Sequence, residues 1–263
     1  MKILVHGNQV NYSLDGPAAR PVVMASHALA ADLSMWEPQL EALGREFRVL
    51  RYDTLGHGAT DAPKGPYTLL QLVEQACGLI AALGIERVHF LGISMGGMIG
   101  QTLAVERPQV LSSLTVCAST SRIPPEALPL WQERIKIAES EGMEPLVEPT
   151  IGRWFTPSFR AGQNEVVDRV RGMIRSTPPH GYAACCHAIS SLNVTGRLAA
   201  IRIPTLVLAG EQDPGMPVAA SRTIHEHITG SELVIIPSAS HLSNTEQPSA
   251  FNKAVTSFLG RIA

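Results

Sequence analysis

The sequence predicts an α/β fold: a mostly parallel central sheet flanked by helices, with an inserted helical cap. Three observations carry this. Short, continuous apolar runs rich in Val, Ile and Leu recur between helix-like segments, and runs without polar alternation suit strands covered on both faces. The rhythm stops between Ser121 and about Arg197, where the pattern turns helical and is punctuated by Pro124-Pro125, Pro145, Pro149, Pro157 and Pro178-Pro179. A chain of 263 residues buries roughly three quarters of its unfolded surface in one core, which favours one domain with an insertion. The expected organisation is a core from residues 1–121 and 197–263 with a cap, or lid, over 122–196.

Taken in order, Lys2 to Val5 and Gln9 to Leu14 flank the turn pair Gly7-Asn8 and predict an antiparallel hairpin at one sheet edge. Val22 to Ala25 and Phe47 to Tyr52 fit buried strands, with a helix over Met35 to Leu43 between them. A helix is expected over Leu69 to Leu83, a strand over Val88 to Ile93, a helix over Met95 to Glu106 and a strand over Val110 to Cys117. Beyond the cap, Thr205 to Ala209 and Leu233 to Ile236 read as strands, and Ala219 to His227 and Ser249 to Leu259 as helices.

Gly92-Ile93-Ser94-Met95-Gly96 sits where a strand gives way to a helix. A serine at such a sharp turn has its hydroxyl lifted out of the sheet, and small residues two before and two after it avoid a Cβ collision. A G-x-S-x-G string also arises by chance in glycine-containing loops. Here the flanking elements, and Gly97 and Gly100 on the helix side facing the sheet, point to a nucleophile elbow with Ser94 as nucleophile. Neither G-x-G-x-x-G nor G-x-x-x-x-G-K-[ST] surrounds Ser94, so a nucleotide phosphate cradle is not indicated.

A serine hydroxyl is a weak nucleophile at neutral pH, so it needs a base and a group that orients the base. In this topology the order is Ser, then Asp or Glu, then His. Asp213 follows the strand ending at Ala209, with Glu211 as rival acid nearer the strand end, and His241 follows the strand ending at Ile236. An Asp before Pro214-Gly215 can be a plain turn former and a loop histidine is usually just solvated; their order after Ser94 selects the catalytic assignment. A tetrahedral oxyanion needs two aimed donors. The backbone N–H of Met95 and, from the loop Ser26-His27-Ala28-Leu29-Ala30, that of Leu29 are the expected oxyanion hole.

Composition excludes other classes. A net charge of -2 and a pI near 6.5, with no basic run, argue against nucleic acid or an anionic membrane as partner and for a small-molecule ligand. His225-Glu226-His227 would splay two rings on a helix and no H-E-x-x-H occurs, so no metal site and no cofactor are expected. No stretch has the length of a membrane span, and the start Met1 to Gly7 lacks a secretory apolar region, which predicts a cytoplasmic protein. Cys77, Cys117 and the adjacent Cys185-Cys186 read as free thiols, and His57 in Gly56-His57-Gly58 reads as a structural turn residue. The sequence does not fix the oligomeric state; a homo-oligomer is compatible with it.

The chain resembles α/β-hydrolase fold enzymes, and within them the 3-oxoadipate enol-lactonases of aromatic catabolism. The similar strings are Asp32-Leu33-Ser34-Met35-Trp36, Phe47 to Asp53, Gly65-Pro66-Tyr67-Thr68, Ser94-Met95-Gly96-Gly97, Trp154-Phe155-Thr156-Pro157, Thr177-Pro178-Pro179, Gly181 to Cys186 and His241-Leu242-Ser243-Asn244. The elbow is common to countless esterases, whereas the cap strings are far more specific. The resemblance implies a serine hydrolase that cleaves a small lactone or carboxylic ester, with Ser94, Asp213 and His241 as catalytic triad. It also implies a cationic group for a substrate carboxylate, for which Arg122, Arg153 and Arg160 are candidates. His27, Trp131, Trp154 and Arg122 are assigned to the substrate pocket, the cap's other large apolar residues to packing.

Three places depart from the family's usual strings. Ser26-His27-Ala28-Leu29-Ala30 stands for S-N-S-L-G, Asp53-Thr54-Leu55-Gly56-His57-Gly58 for D-x-R-G-H-G, and Asp213-Pro214-Gly215-Met216-Pro217 for D-x-x-T-P. Leu55 and Met216 predict a less polar pocket than an anionic lactone favours. General carboxylesterase, carbon-carbon bond hydrolase and perhydrolase chemistry use the same triad, and a ligand-binding receptor is the non-enzymatic alternative.

Overall fold

In the computed structural model, which describes residues 1–162 and 164–262, eight strands form one sheet. They are β1 (Lys2–Val5), β2 (Asn8–Asp15), β3 (Val22–Ser26), β4 (Arg48–Tyr52), β5 (Val88–Ile93), β6 (Leu111–Cys117), β7 (Thr205–Gly210) and β8 (Glu232–Ile236). Their order across the sheet is β1-β2-β4-β3-β5-β6-β7-β8. The hairpin β1–β2 and its pairing to β4 are antiparallel, and every pair from β4 to β8 is parallel. Every residue of β3, β5 and β7 is buried, which is why those segments read as unbroken apolar runs.

This order places the site. Going outward from β3 the chain runs to β4 on one side and to β5 on the other, so the direction of winding reverses between β3 and β5. Loops leaving the carboxyl ends of two such strands diverge and open a crevice between them. Ser26 pairs with Gly92 at that end, so the loop after β3 and the elbow after β5 emerge side by side.

The expected strands and most helices occur within a residue or two of the sequence reading. One helix differs: instead of a single run over Met35 to Leu43, Leu33–Gln39 is a 3-10 turn followed by a short α-helix, Leu40–Gly44. Pro38 lies inside the first turn, and its missing N–H and fixed ring prevent an uninterrupted α-helix. A four-residue helix, Ser243–Glu246, was not anticipated, because one turn is too short to leave a periodic signature.

Between β6 and β7 the chain forms helices Leu128–Glu141, Glu144–Trp154, Pro157–Gly162, Asn164–Ser176 and Pro179–Ser190. The prolines that punctuate this stretch mostly begin helices, where a missing N–H costs nothing. The two ends of this helical stretch lie side by side. Arg122 bridges Asn193, Ile123 N–H donates to Leu192 O (3.0 Å) and Val194 N–H to Ser121 O (2.8 Å). Among the described residues no helix is long and apolar enough to cross a membrane.

The elbow helix, Met95–Glu106, packs against the sheet with almost no clearance. A Cβ on Gly96 would lie 2.1 Å from Ser26 O, and one on Gly92 2.2 Å from Gly96 O. These are backbone atoms that cannot step aside. Gly96→Ala is therefore expected to destabilise the fold by roughly 1–3 kcal/mol through overpacking. Gly152→Ala, whose Cβ would meet nothing within 4 Å on a helix, should be neutral or stabilising by up to about 1 kcal/mol. Urea unfolding of the two variants beside the wild type checks both.

Candidate active site

Ser94 sits at φ 56° and ψ -114°, a left-handed conformation that a side chain adopts only when its surroundings force it. Its N–H donates to Cys117 O (2.8 Å) on β6, and Ser119 Oγ donates to its carbonyl (2.9 Å). The next amide but one, Gly96 N–H, donates to His27 O (3.1 Å) and joins the elbow to the loop after β3. Ser94 lines a cavity of about 450 Å³ between the sheet's carboxyl-end loops and the helices that lie between β6 and β7, and Asp213 and His241 line the same cavity.

His241 Nδ1–H donates to Asp213 Oδ2 at 2.6 Å, with both residues buried. Asp213 is held in turn: its Oδ1 accepts from Gly215 N–H (2.8 Å) and Met216 N–H (2.9 Å), leaving Oδ2 to the imidazole. With Nδ1 protonated by this bond, the other ring nitrogen of a neutral imidazole is an acceptor. The Trp154 ring stacks on the His241 ring, centroids 6.2 Å apart and planes within 21°. Glu211, the rival acid, is exposed and accepts from Ser238 N–H (3.0 Å) instead.

The loop after β3 presents one unused donor toward the cavity. Ala28 N–H is taken by Met35 Sδ (3.4 Å), Ala30 N–H by His57 Nε2 (2.9 Å) and Ala31 N–H by Ala28 O (3.1 Å). Among the described residues no acceptor meets Leu29 N–H, and Met95 N–H, in the first turn of its helix, has no intrahelical acceptor. Leu29 lines the cavity.

His57 explains how that loop is held. Burial, and secondarily the neighbouring His27, push its pKa down from 6.5 to about 3. It is thus neutral at physiological pH, donating from Nδ1 to Leu55 O (3.2 Å) and accepting from Ala30 on Nε2.

Trp131, Trp154 and Arg122, the residues assigned to a substrate pocket, line this cavity. His27 does not: its ring is fully buried, with Nδ1–H on Ala28 O (2.7 Å) and Nε2 accepting from Thr54 N–H (2.9 Å), so it braces the loop and leaves nothing for substrate. Leu55 is likewise absent from the cavity walls, so its exchange for arginine does not set their polarity, whereas Met216 does line them. Of the cationic candidates, Arg153 joins Arg122 there and Arg160 does not.

Sequence reasoning missed Arg134. It lies one helical turn after Trp131, with its guanidinium 4.7 Å from the centre of that ring; the i, i+3 spacing from a cap tryptophan was the available signal. Burial and then the charge of Arg134 lower the Arg153 pKa to about 10. Arg153 donates to Thr150 Oγ1 (3.0 Å). Among the described residues no carboxylate forms an ion pair with Arg122, Arg134 or Arg153. The cavity is therefore apolar-walled, with neighbouring uncompensated cations on the cap side and a serine, a histidine and two unused N–H groups on the core side.

The sequence matches the alpha/beta hydrolase fold family over residues 21–248. It is 38% identical over 252 residues to 3-oxoadipate enol-lactonase 2 of Acinetobacter baylyi, spanning 96% of this chain and 93% of that protein. The crystal structure of the enol-lactonase from Burkholderia xenovorans LB400 superposes with a TM-score of 0.96 at 38% identity, covering 99% of this chain and all of that one, 100%. A malate-bound thermophilic esterase from Thermogutta terrifontis superposes at 0.93 with 29% identity, covering 100% and 98%.

The depressed His57 pKa makes a stability prediction. Between about 3 and 6.5 the unfolded chain binds a proton at this position and the native state does not, so stability rises with pH across that window and is lost as pH falls below 6.5. The loss approaches about 1.4 kcal/mol per pH unit inside the window. His57→Gln, which keeps an acceptor for Ala30 N–H, should flatten this part of the profile in urea unfolding at pH 7, 5.5 and 4.5. An unchanged slope would mean that the acid sensitivity comes from other groups.

Proposed function

The chain belongs to the alpha/beta hydrolase fold family, and from that premise we propose that it is a serine hydrolase of the enol-lactonase kind, opening a small lactone or ester that bears a carboxylate. Residues 122–196 act as its cap. The Asp213–His241 hydrogen bond at the cavity that Ser94 lines is the single observation that carries this reading.

In the proposed reaction His241 takes the Ser94 proton as Ser94 Oγ attacks the carbonyl carbon, while Asp213 holds the ring orientation and stabilises the imidazolium. Negative charge moving onto the carbonyl oxygen meets Leu29 N–H and Met95 N–H, the second reinforced by the positive end of the elbow helix. Collapse of the tetrahedral intermediate breaks the ring C–O bond, and His241 returns its proton to the leaving oxygen. For a lactone the leaving group stays attached to the acyl chain; a water deprotonated by His241 then releases it from Ser94.

Arg122, Arg134 and Arg153 support the substrate class. Arg134 and Arg153 are half-buried and Arg122 is exposed, so solvent reaches them in the free protein, and a substrate carboxylate entering the apolar-walled cavity finds guanidinium donors with which to form charge-assisted hydrogen bonds. The malate carried by the Thermogutta esterase is a small carboxylate of the same chemistry. Four free cysteines support a reducing, cytoplasmic setting.

Ser94→Ala or His241→Ala should lower kcat by about a million-fold if the groups act as a unit, and Asp213→Asn by about ten-thousand-fold. Near-wild-type turnover of a lactone panel by Ser94→Ala would sink the serine mechanism. Replacing Arg134 or Arg153 by Gln should weaken kcat/KM roughly 10- to 100-fold for a carboxylate-bearing lactone, the value of a charge-assisted hydrogen bond. The same changes should leave a neutral lactone of equal size nearly unaffected. Equal losses on both substrates would remove the carboxylate role, and stoichiometric binding without turnover would favour a receptor.

A further inference from the structure

Glu246 is buried without a counter-charge. It is 6% exposed, at the end of the short helix Ser243–Glu246, and among the described residues no Lys, Arg or His forms an ion pair with it. What it meets instead is donors from two different parts of the chain. Oε1 accepts from Thr156 N–H (3.0 Å) and from Thr156 Oγ1, and Oε2 accepts from Ser240 N–H (2.8 Å).

Those two partners flank the chemistry. Ser240 immediately precedes His241, and Thr156 follows Trp154, whose ring lies on His241, by two residues. The same two segments touch twice more: Ser240 Oγ donates to Arg153 O (2.8 Å) and Leu242 N–H to Trp154 O (3.1 Å). A cap segment that includes two cavity-lining residues, Arg153 and Trp154, is thus stitched residue by residue to the loop that carries the histidine. One carboxylate spans the seam with an oxygen on each side. Burying it demands that both sets of donors stay in place, because a carboxylate that loses them inside the protein has no water to turn to.

We propose that Glu246 is a positioning residue that locks the cap segment from Arg153 to Thr156 onto the His241 loop, so that the base stays aligned with Ser94 only while cap and core hold this register. The proposal rests on His241 serving as the base. Glu246 touches neither substrate nor the reacting atoms; it acts through Ser240 and Thr156. An amide in its place keeps the shape but turns one acceptor into a donor facing an N–H group, and the seam opens on one side.

The test counts active sites first, by titrating Ser94 with a serine-directed phosphonate, and then measures lactone hydrolysis per titrated site in the full-length enzyme. Glu246→Gln should lower kcat about 100-fold, the scale of a misplacement near 1 Å, with KM little changed. Thr156→Val, which removes the hydroxyl's bonds to Glu246, Ser158 Oγ and Phe159 N–H but keeps Thr156 N–H on Glu246 Oε1, should lower kcat about 10-fold. Glu211→Gln is the control, because it removes an equal charge bonded to the same loop at Ser238 N–H and should leave kcat unaltered. A Glu246→Gln enzyme with wild-type kcat per titrated site and only a lower melting temperature would make Glu246 a folding residue and overturn the proposal. If that variant does not fold, wild-type kcat in Thr156→Val overturns it equally. Failure of the phosphonate to label the wild type would instead strike the serine mechanism, the premise, and the proposal would fall with it.

Discussion

The close seat of the elbow helix on the sheet is the constraint on which the rest depends. Gly92 and Gly96 allow the backbone at Ser94 to turn through a conformation that its own side chain disfavours, and Gly96 N–H then reaches His27 O across the gap. That single bond sets the loop after β3 against the elbow. The spacing of Leu29 N–H and Met95 N–H, the proposed oxyanion donors, follows from it. Strain at Ser94 persists because β6 holds it from the other side through Cys117 O and Ser119 Oγ.

A second principle is how the cavity distributes charge. The histidines that brace the loop after β3, His27 and His57, have their ring nitrogens spent on the backbone, so they shape the site and leave no free nitrogen to compete as a base. Arg122, Arg134 and Arg153, by contrast, have no carboxylate partner among the described residues. In the proposed reaction the two choices divide the labour: His241 and the Leu29 and Met95 N–H groups meet charge that develops on the substrate, and the guanidinium groups meet charge that a carboxylate-bearing substrate already has.

The sheet and the Ser94, Asp213 and His241 positions were legible in the sequence because each follows from a strong local rule. Unbroken apolar runs mark buried strands, and polar residues just past strand ends mark the crevice. What stayed hidden depends on packing between distant segments. Whether His27 points into the cavity or into the backbone of Thr54 is decided by how the loop after β3 lies on the loop after β4, and no spacing encodes that. Leu55 misled for the same reason: its neighbours in sequence approach the catalytic face, but its own side chain turns away from the cavity. Arg134 was hidden among solvated-looking cap charges, since only the fold of the helix pair around Trp131 and Arg153 turns it inward. The break at Pro38 was visible as a proline but outweighed by the apolar period around it.

The seam between Arg153–Thr156 and Ser240–Leu242 bears on how mechanism and selectivity are connected in this molecule. An insertion joined to the core only at its neck would be free to vary with the substrate while the catalytic groups stayed fixed. Here residues 153–156 also meet the histidine loop, through backbone bonds at Trp154 and Arg153 and through the Glu246 carboxylate. Arg153 carries both a cavity-facing cation and the carbonyl that anchors Ser240. On the proposed function, a substrate carboxylate held by that cation would bear on the segment that is bonded to the His241 loop. The proposed function thus places both ends of the substrate against one bonded segment, and binding energy at the carboxylate raises kcat instead of only lowering KM to the extent that the segment is better seated in the transition state than in the ground state.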